Sequence, residues 1–290
     1  MKDSGFTNFV FKGTYYYANM ISNILDNPYD YIRSLSEFWG SGDDKLYINF
    51  NPFQKESVFH SFIYFIIETS FFENLPDSDE IEKFKKDYAD YTSSSSGLMR
   101  EPFLTDIEYY AHHYNFDVGH PWDDLPQKIQ DLTADDIYEY YQGLRISSES
   151  YEKILKVMSH EVFNVLFTNR ILMANFNLII ARVISSSVMK DIPEEFVHLF
   201  KKDGVLKRAR IPEWAKRAIK FRDHGYCVQC HKDISEIRRN ISEFHIDHII
   251  PLADGGLNDI SNLQLLCEHC NTRKGNRYYN TNNSSTDWYK

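Results

Sequence analysis

The sequence predicts a mainly α protein: a helical N-terminal domain over residues 1–200, then a small ββα unit stapled by zinc. Three observations carry this. Segments before residue 200 repeat apolar side chains at helical spacing. Two Cys-x-x-Cys pairs lie near the C-terminus. Between them the pattern runs strand, Gly-rich loop, strand, helix start.

In the N-terminal part, FQKESVFHSFIYFIIETSFF (53–72) reads as a helix stopped before LPDSDE. DEIEKFKKDYADYT (79–92) is a second, and TADDIYEYYQGL (133–144) a third, where Thr133 followed by Asp136 resembles a capping box. The stretch 148–189, from SESYEKIL to ISSSVM, keeps helical spacing throughout, with Ser147, Ser148 or Ser150 as its N-cap. YTSSSSGLMREP (91–102) is a Ser-, Gly- and Pro-bearing loop. In YAHHYNFDVGHPWDD, His112, His113, His120, Asp123 and Asp124 form a polar cluster whose spacing fits no metal template, so surface or partner contact is its reading. FKKDGVLKRARIPEWAKRAIKFR (200–222) reads as a basic linker ending in a short helix from Pro212, a residue tolerated at helix starts. The domains expected are therefore 1–200, 201–222 as linker and helix, 223–280, and a tail at 281–290.

Composition narrows the partners. The chain of 290 residues has a net charge of −10, but residues 201–290 hold 16 Lys and Arg against 11 Asp and Glu. That end is +5 and the first 200 residues are −15, so polyanion binding is expected at the C-terminal end only. The acidic body offers a surface for a basic protein partner. The apolar runs VFHSFIYFIIETSFF and ILMANFNLIIARVI are short and carry His, Glu, Asn or Arg, which fits buried helices better than membrane spans. MKDSGFTNFVFKGTYYY has no signal pattern, so a soluble cytoplasmic protein is expected.

Cys227, Cys230, Cys267 and Cys270 are the four cysteines, and 36 residues separate the pairs. Two intervening residues let both thiolates of a pair turn to one centre, and two pairs make the tetrahedral sulfur site that zinc prefers. With every position filled by sulfur, that zinc would stabilise a small segment rather than catalyse. His231 and His269, beside the cysteines, are read as bystanders. FHIDHIIPL (244–252) then reads as the first strand, ADGGLNDIS as loop, NLQLLC as the second strand and CEHCNTRKGNRYY as the opening of a helix.

IDHIIPLADGG, SNLQLLC and CEHCNTRKG, with both cysteine pairs, resemble the HNH endonuclease family in its zinc-bearing form, over about residues 221–278. The resemblance implies a ββα-metal fold and divalent-metal-dependent hydrolysis of DNA. It makes His248 the general base, with Asn262 holding the loop and orienting His248. Asp247 and Asn271 become ligands of a catalytic metal. The last motif position is Asn271 where the family name has His, and the resulting oxygen ligand set favours Mg²⁺, with Mn²⁺ substituting. His245 lies on the strand face opposite His248 and is given no ligand role. Arg273, Lys274 and Arg277, with Lys216, Arg217 and Lys220 of the preceding helix, would grip phosphates without reading sequence. Since the family includes restriction enzymes and phage-defence effectors, a regulated effector of that kind is expected. RNA as substrate, and a non-catalytic zinc module binding nucleic acid or a protein, stay open. A double-strand break would take two protomers or two successive nicks.

Overall fold

The structure is a computed structural model that describes residues 12–31, 35, 37–38, 45–94, 102–120, 129–235, 244–275 and 281–282. The chain divides into two compact units, Met1–Ile63 with Glu161–Lys290, and Tyr64–His160. Segment 223–280 therefore shares a unit with residues from before position 200.

The unit Tyr64–His160 is helical, and its helices begin where side chains satisfy their free N–H groups. For the helix Ser78–Ser93, the Asp77 carboxylate accepts from the Asp79 and Glu80 amides, and Glu80 returns to the Asp77 amide at 3.0 Å. Thr133 and Asp136 cap Ala134–Ser147 in the same reciprocal way. Ile137, Tyr141 and Leu144 then line one side of that helix and are buried with Ile81, Phe84 and Ile107. The helix Asp106–Tyr114 adds one that the apolar spacing does not announce. His120 bonds the buried Glu108 at 3.2 Å, whereas Asp123 and Asp124 lie outside the described residues.

The helical run expected over 148–189, which passes from this unit into the other, is interrupted. One helix, Glu149–Leu166, ends; another, Arg170–Ser185, begins, and the chain turns through 117° between them. Asn169 is the cause: its side-chain oxygen accepts from the Leu172 amide at 3.0 Å and starts a new helix. The redirected helix buries Leu172, Met173, Phe176, Ile180 and Ile184. A two-stranded hairpin follows, β1 (Phe200–Lys202) and β2 (Val205–Leu206), then the helix Glu213–Arg222 just after Pro212. β3 (Phe244–His248) pairs antiparallel with β4 (Leu263–Cys267), from Phe244 opposite Cys267 to His248 opposite Leu263. The helix Glu268–Lys274 packs on both strands, giving the expected ββα order. No single helix among the described residues is long and apolar enough to cross a membrane.

Buried polar contacts set the ββα unit into its helical surroundings. The Asp259 carboxylate accepts from the Val58 amide at 3.1 Å, so a loop residue caps the helix Val58–Glu73 across 201 positions of chain. Asn177 donates to Ser261 Oγ at 3.1 Å, and the Phe53 amide to the Asn258 carbonyl at 2.9 Å. Gly255, at φ 85°, lies so close to the Ala181 carbonyl that a Cβ would collide with it, and a Cβ on Gly256 would run into the Ile250 carbonyl.

Asp223 makes the densest of these contacts. Its fully buried carboxylate meets Arg222 Nε at 2.7 Å and Arg170 Nη1 at 3.2 Å, and accepts from the Leu265 amide at 2.9 Å. Arg222 also donates to the Leu263 carbonyl at 2.7 Å and lies 4.9 Å from the Phe167 ring. Removing one partner of such a pair leaves buried charge uncompensated, at a cost of about 3–5 kcal/mol. Asp223→Ala is expected to lower stability by that amount in urea unfolding, with Leu263 and Leu265 losing amide-exchange protection first. Unchanged exchange at both would show that the pair does not hold β4.

Candidate metal centre and active site

The four cysteine sulfurs lie within 4.8 Å of one another, and Cys230 Sγ is 3.7 Å from Cys267 Sγ. Zinc–sulfur bonds of about 2.3 Å in a tetrahedron put sulfurs roughly 3.8 Å apart, so the donor set fits one zinc ion. The backbone builds this cluster from distant parts. Cys227 and Cys230 close a turn in which the His231 amide donates to the Cys227 carbonyl at 2.8 Å. Cys267 ends β4 and Cys270 follows on the helix. The Val228 amide, donating to the Leu265 carbonyl at 3.0 Å, ties the first turn to β4. Among the described residues this is the one group of Cys, His, Asp or Glu placed to hold a metal together.

Asp247 and His248 sit at the end of β3. Strict alternation would send them to opposite faces, yet the strand stops at His248 and both side chains line one cavity of about 280 Å³. Lys201, Lys202, Arg208 and Lys274 line it too. His248 is 2% exposed, and its Nε2 is buried without a partner among the described residues. Burial first, and the nearby Arg208 next, push its pKa down to about 4, although Asp247 and an Asn258 hydrogen bond act the other way. The imidazole is therefore neutral at pH 7.

Residues 227–277 match the family model described as HNH endonuclease. This segment is similar to an HNH domain. The family match does not extend to the residues before it. No curated protein and no solved structure matches the chain.

Within the HNH domain, Asn262 is fully buried and its bonds all go to the loop that follows His248. Its side-chain oxygen accepts from the Ile250 amide at 2.8 Å, its Nδ2 donates to the Ile250 and Leu257 carbonyls at 3.0 Å each, and its carbonyl accepts from the Ile249 amide at 2.7 Å. Asn258 of the same loop lies close enough to the His248 ring to raise its pKa, and sequence reasoning does not single it out. Loop ADGGLNDIS holds several polar residues of equal claim, and no local signal singles this one out.

The oxygen donors of Asp247 and Asn271 suit Mg²⁺ or Mn²⁺. Asp247 turns its carboxylate into the cavity, where it already meets a cation: Lys274 Nζ is 2.6 Å from Oδ2, a charge contact outside hydrogen-bond geometry. Asn271 is half-buried on the helix Glu268–Lys274, three residues before Lys274 and so on neighbouring surface. His245 is half-buried, its Nε2 without a partner, and does not line the cavity.

The basic residues divide. Lys274 is 3% exposed and donates to the His248 carbonyl at 2.8 Å, so it serves the inside of the site rather than an open surface. Lys216 pairs with Glu213 at 2.7 Å, and Lys220 stands 3.6 Å above the Phe244 ring. Arg217 and Arg273 are exposed, and Arg277 lies outside the described residues.

One zinc per chain is expected in elemental analysis. Cys227→Ser or Cys270→Ser should abolish it and melt β3 and β4 in amide exchange; full protection in a zinc-free protein would contradict a structural role. A second outcome follows from His248. Its pKa is about 4 in the folded chain and near ~6.5 unfolded. Protons therefore favour the unfolded state as pH falls, and the stability present above pH 6.5 drains away toward pH 4. Between pH 7 and pH 5 the loss should be about 2 kcal/mol, read as a shift in urea midpoint that His248→Gln lacks.

Proposed function

We propose that this protein is an HNH endonuclease that hydrolyses DNA phosphodiester bonds with a divalent metal. One observation carries the reading: a neutral, buried histidine, one ring nitrogen of which has no partner among the described residues, stands beside Asp247 in a cavity that Lys201, Lys202, Arg208 and Lys274 also line.

In this mechanism His248 takes a proton from water through its free ring nitrogen. The water oxygen attacks phosphorus, and the bond from phosphorus to the 3′-oxygen breaks. Burial keeps the imidazole unprotonated at neutral pH, which is the form a base requires. Asn258 and the Asn262-braced loop hold the ring in place. Asp247 and Asn271 would hold Mg²⁺ or Mn²⁺, which when bound supplies charge stabilisation at the phosphate and the departing oxygen. Lys274 offsets the Asp247 charge and fixes the end of β3 through the His248 carbonyl. Arg217 and Arg273 are exposed for phosphates further along the duplex. Zinc on the four cysteines would hold the strand ends and take no part in the chemistry.

The acidic first 200 residues, at −15, favour a regulated role in which that part meets a basic partner, as in a restriction or anti-phage effector.

Plasmid and linear DNA incubated with Mg²⁺, Mn²⁺ or EDTA should show cleavage in either metal and none with the chelator. His248→Ala should lower the rate by about 10²–10⁴-fold while zinc content stays unchanged. A single-stranded RNA arm in the same assay separates the two nucleic acids. DNA binding without cleavage in any metal, unaltered by His248→Ala, would mark a non-catalytic zinc module instead.

A further inference from the structure

One wall of the cavity before His248 comes from outside the HNH match. β1 brings Lys201 and Lys202 to it, and the strand exit from β2 brings Arg208. All three are exposed, and none of their side chains makes a hydrogen bond or ion pair with the described residues. The one carboxylate lining the cavity, Asp247, is already matched by Lys274. Three positive charges are thus left over beside the proposed reaction centre.

Their position is built in. Asn258, 4% exposed, accepts from the Ala209 amide at 3.2 Å and donates to the Lys207 carbonyl at 2.8 Å. Those bonds grip the backbone on both sides of Arg208, and the same side chain reaches the His248 ring. One amide therefore fixes the guanidinium-bearing segment from the loop that borders His248. The hairpin is fixed as firmly. Phe200 is buried against the Tyr47 and Phe50 rings, and Gly204 donates to the Ser187 carbonyl at 2.9 Å with no space for a Cβ. The acid in the hairpin turn, Asp203, is tied back to the Met189 amide at 2.8 Å. Neighbouring strand residues normally face opposite ways; a register irregularity between Phe200 and Lys202 lets both lysines line the cavity.

Cations spaced along a groove and left without carboxylate partners match a ligand whose charges repeat at intervals, as the phosphates of a nucleic-acid strand do. Arg208 also presents a planar fork suited to two oxygens of one phosphate.

We propose that Arg208, Lys201 and Lys202 form a phosphate clamp outside the HNH domain that holds the DNA strand across His248. Arg208 takes the phosphate under attack, and the lysines take its neighbours. The clamp rests on the nuclease reading above, and its test separates the two.

Binding of a fluorescein-labelled 30-base-pair DNA duplex is followed by anisotropy in EDTA over a range of salt, and cleavage is followed with Mg²⁺. Lys201→Ala/Lys202→Ala should weaken binding and flatten the slope of log affinity against log salt by about 2, near 0.9 for each phosphate that is no longer neutralised. Arg208→Ala should cut cleavage by about 10²-fold. Arg208→Lys should restore the binding slope but only part of the rate, because the two-pronged grip is gone. Lys153→Ala, which removes an exposed charge paired to Glu149, controls for net charge and should leave both readouts alone. If wild-type protein binds without cutting while the clamp variants flatten the slope, the clamp stands and the nuclease reading falls. If the clamp variants bind and cut as wild type does, the clamp is overturned.

Discussion

Two guanidiniums converge on Asp223, whose side chain has no exposed surface. Arg222 belongs to the helix that leads into the first cysteine pair, Arg170 to the first turn of Arg170–Ser185, and the Leu265 amide to the middle of β4. One carboxylate thus fixes three elements at a point that water does not reach. Desolvating these charges is expensive, and only the completeness of the set makes it tolerable. The consequence runs directly to the site. Arg222 grips the Leu263 carbonyl, Leu263 pairs with His248 across the sheet, and His248 ends where the cavity begins. The backbone position of His248 is thus tied, through Leu263, to a buried ion pair.

Two different environments sit at opposite ends of β3 and β4. At the Phe244–Cys267 end, four sulfurs face one another with no room for substrate. At the His248–Leu263 end, Asp247 and His248 line a cavity together with Lys201, Lys202, Arg208 and Lys274. Soft ligands in a closed cage favour a permanent zinc, whereas hard ligands beside open space favour an exchangeable ion. A pair of strands five residues long separates the two ends.

What is legible in the sequence is local. The cysteine pairs, Asp247–His248, the strand–loop–strand–helix order and the start after Pro212 are each written in adjacent residues, and each is present in the fold. The capping boxes at Asp77 and Thr133 are equally short-range, and Thr133 is readable. The break at Asn169 is not, because its neighbours on both sides keep helical spacing and hide the one capping residue among them. Arg208 looks like one more charge in a basic run until Asn258, 50 positions later, holds the backbone on both sides of it beside the cavity that His248 lines. Lys274 reads as surface because it ends a basic exposed turn; the packing of its helix on β3 turns it inward.

The loop between β3 and β4 leans on structure it does not own. Asp259 begins a helix that starts at Val58, Ser261 receives Asn177, and Gly255 rests against the Ala181 carbonyl with no space between. The match to residues 227–277 invites treating this stretch as a cassette that could be lifted onto another protein. Its seams say otherwise. Cut away at residue 200, it would leave a carboxylate, a hydroxyl and a bare glycine backbone facing solvent where partners had been. The segment and the helices around it must therefore have been refined together, and each constrains which substitutions the other can accept.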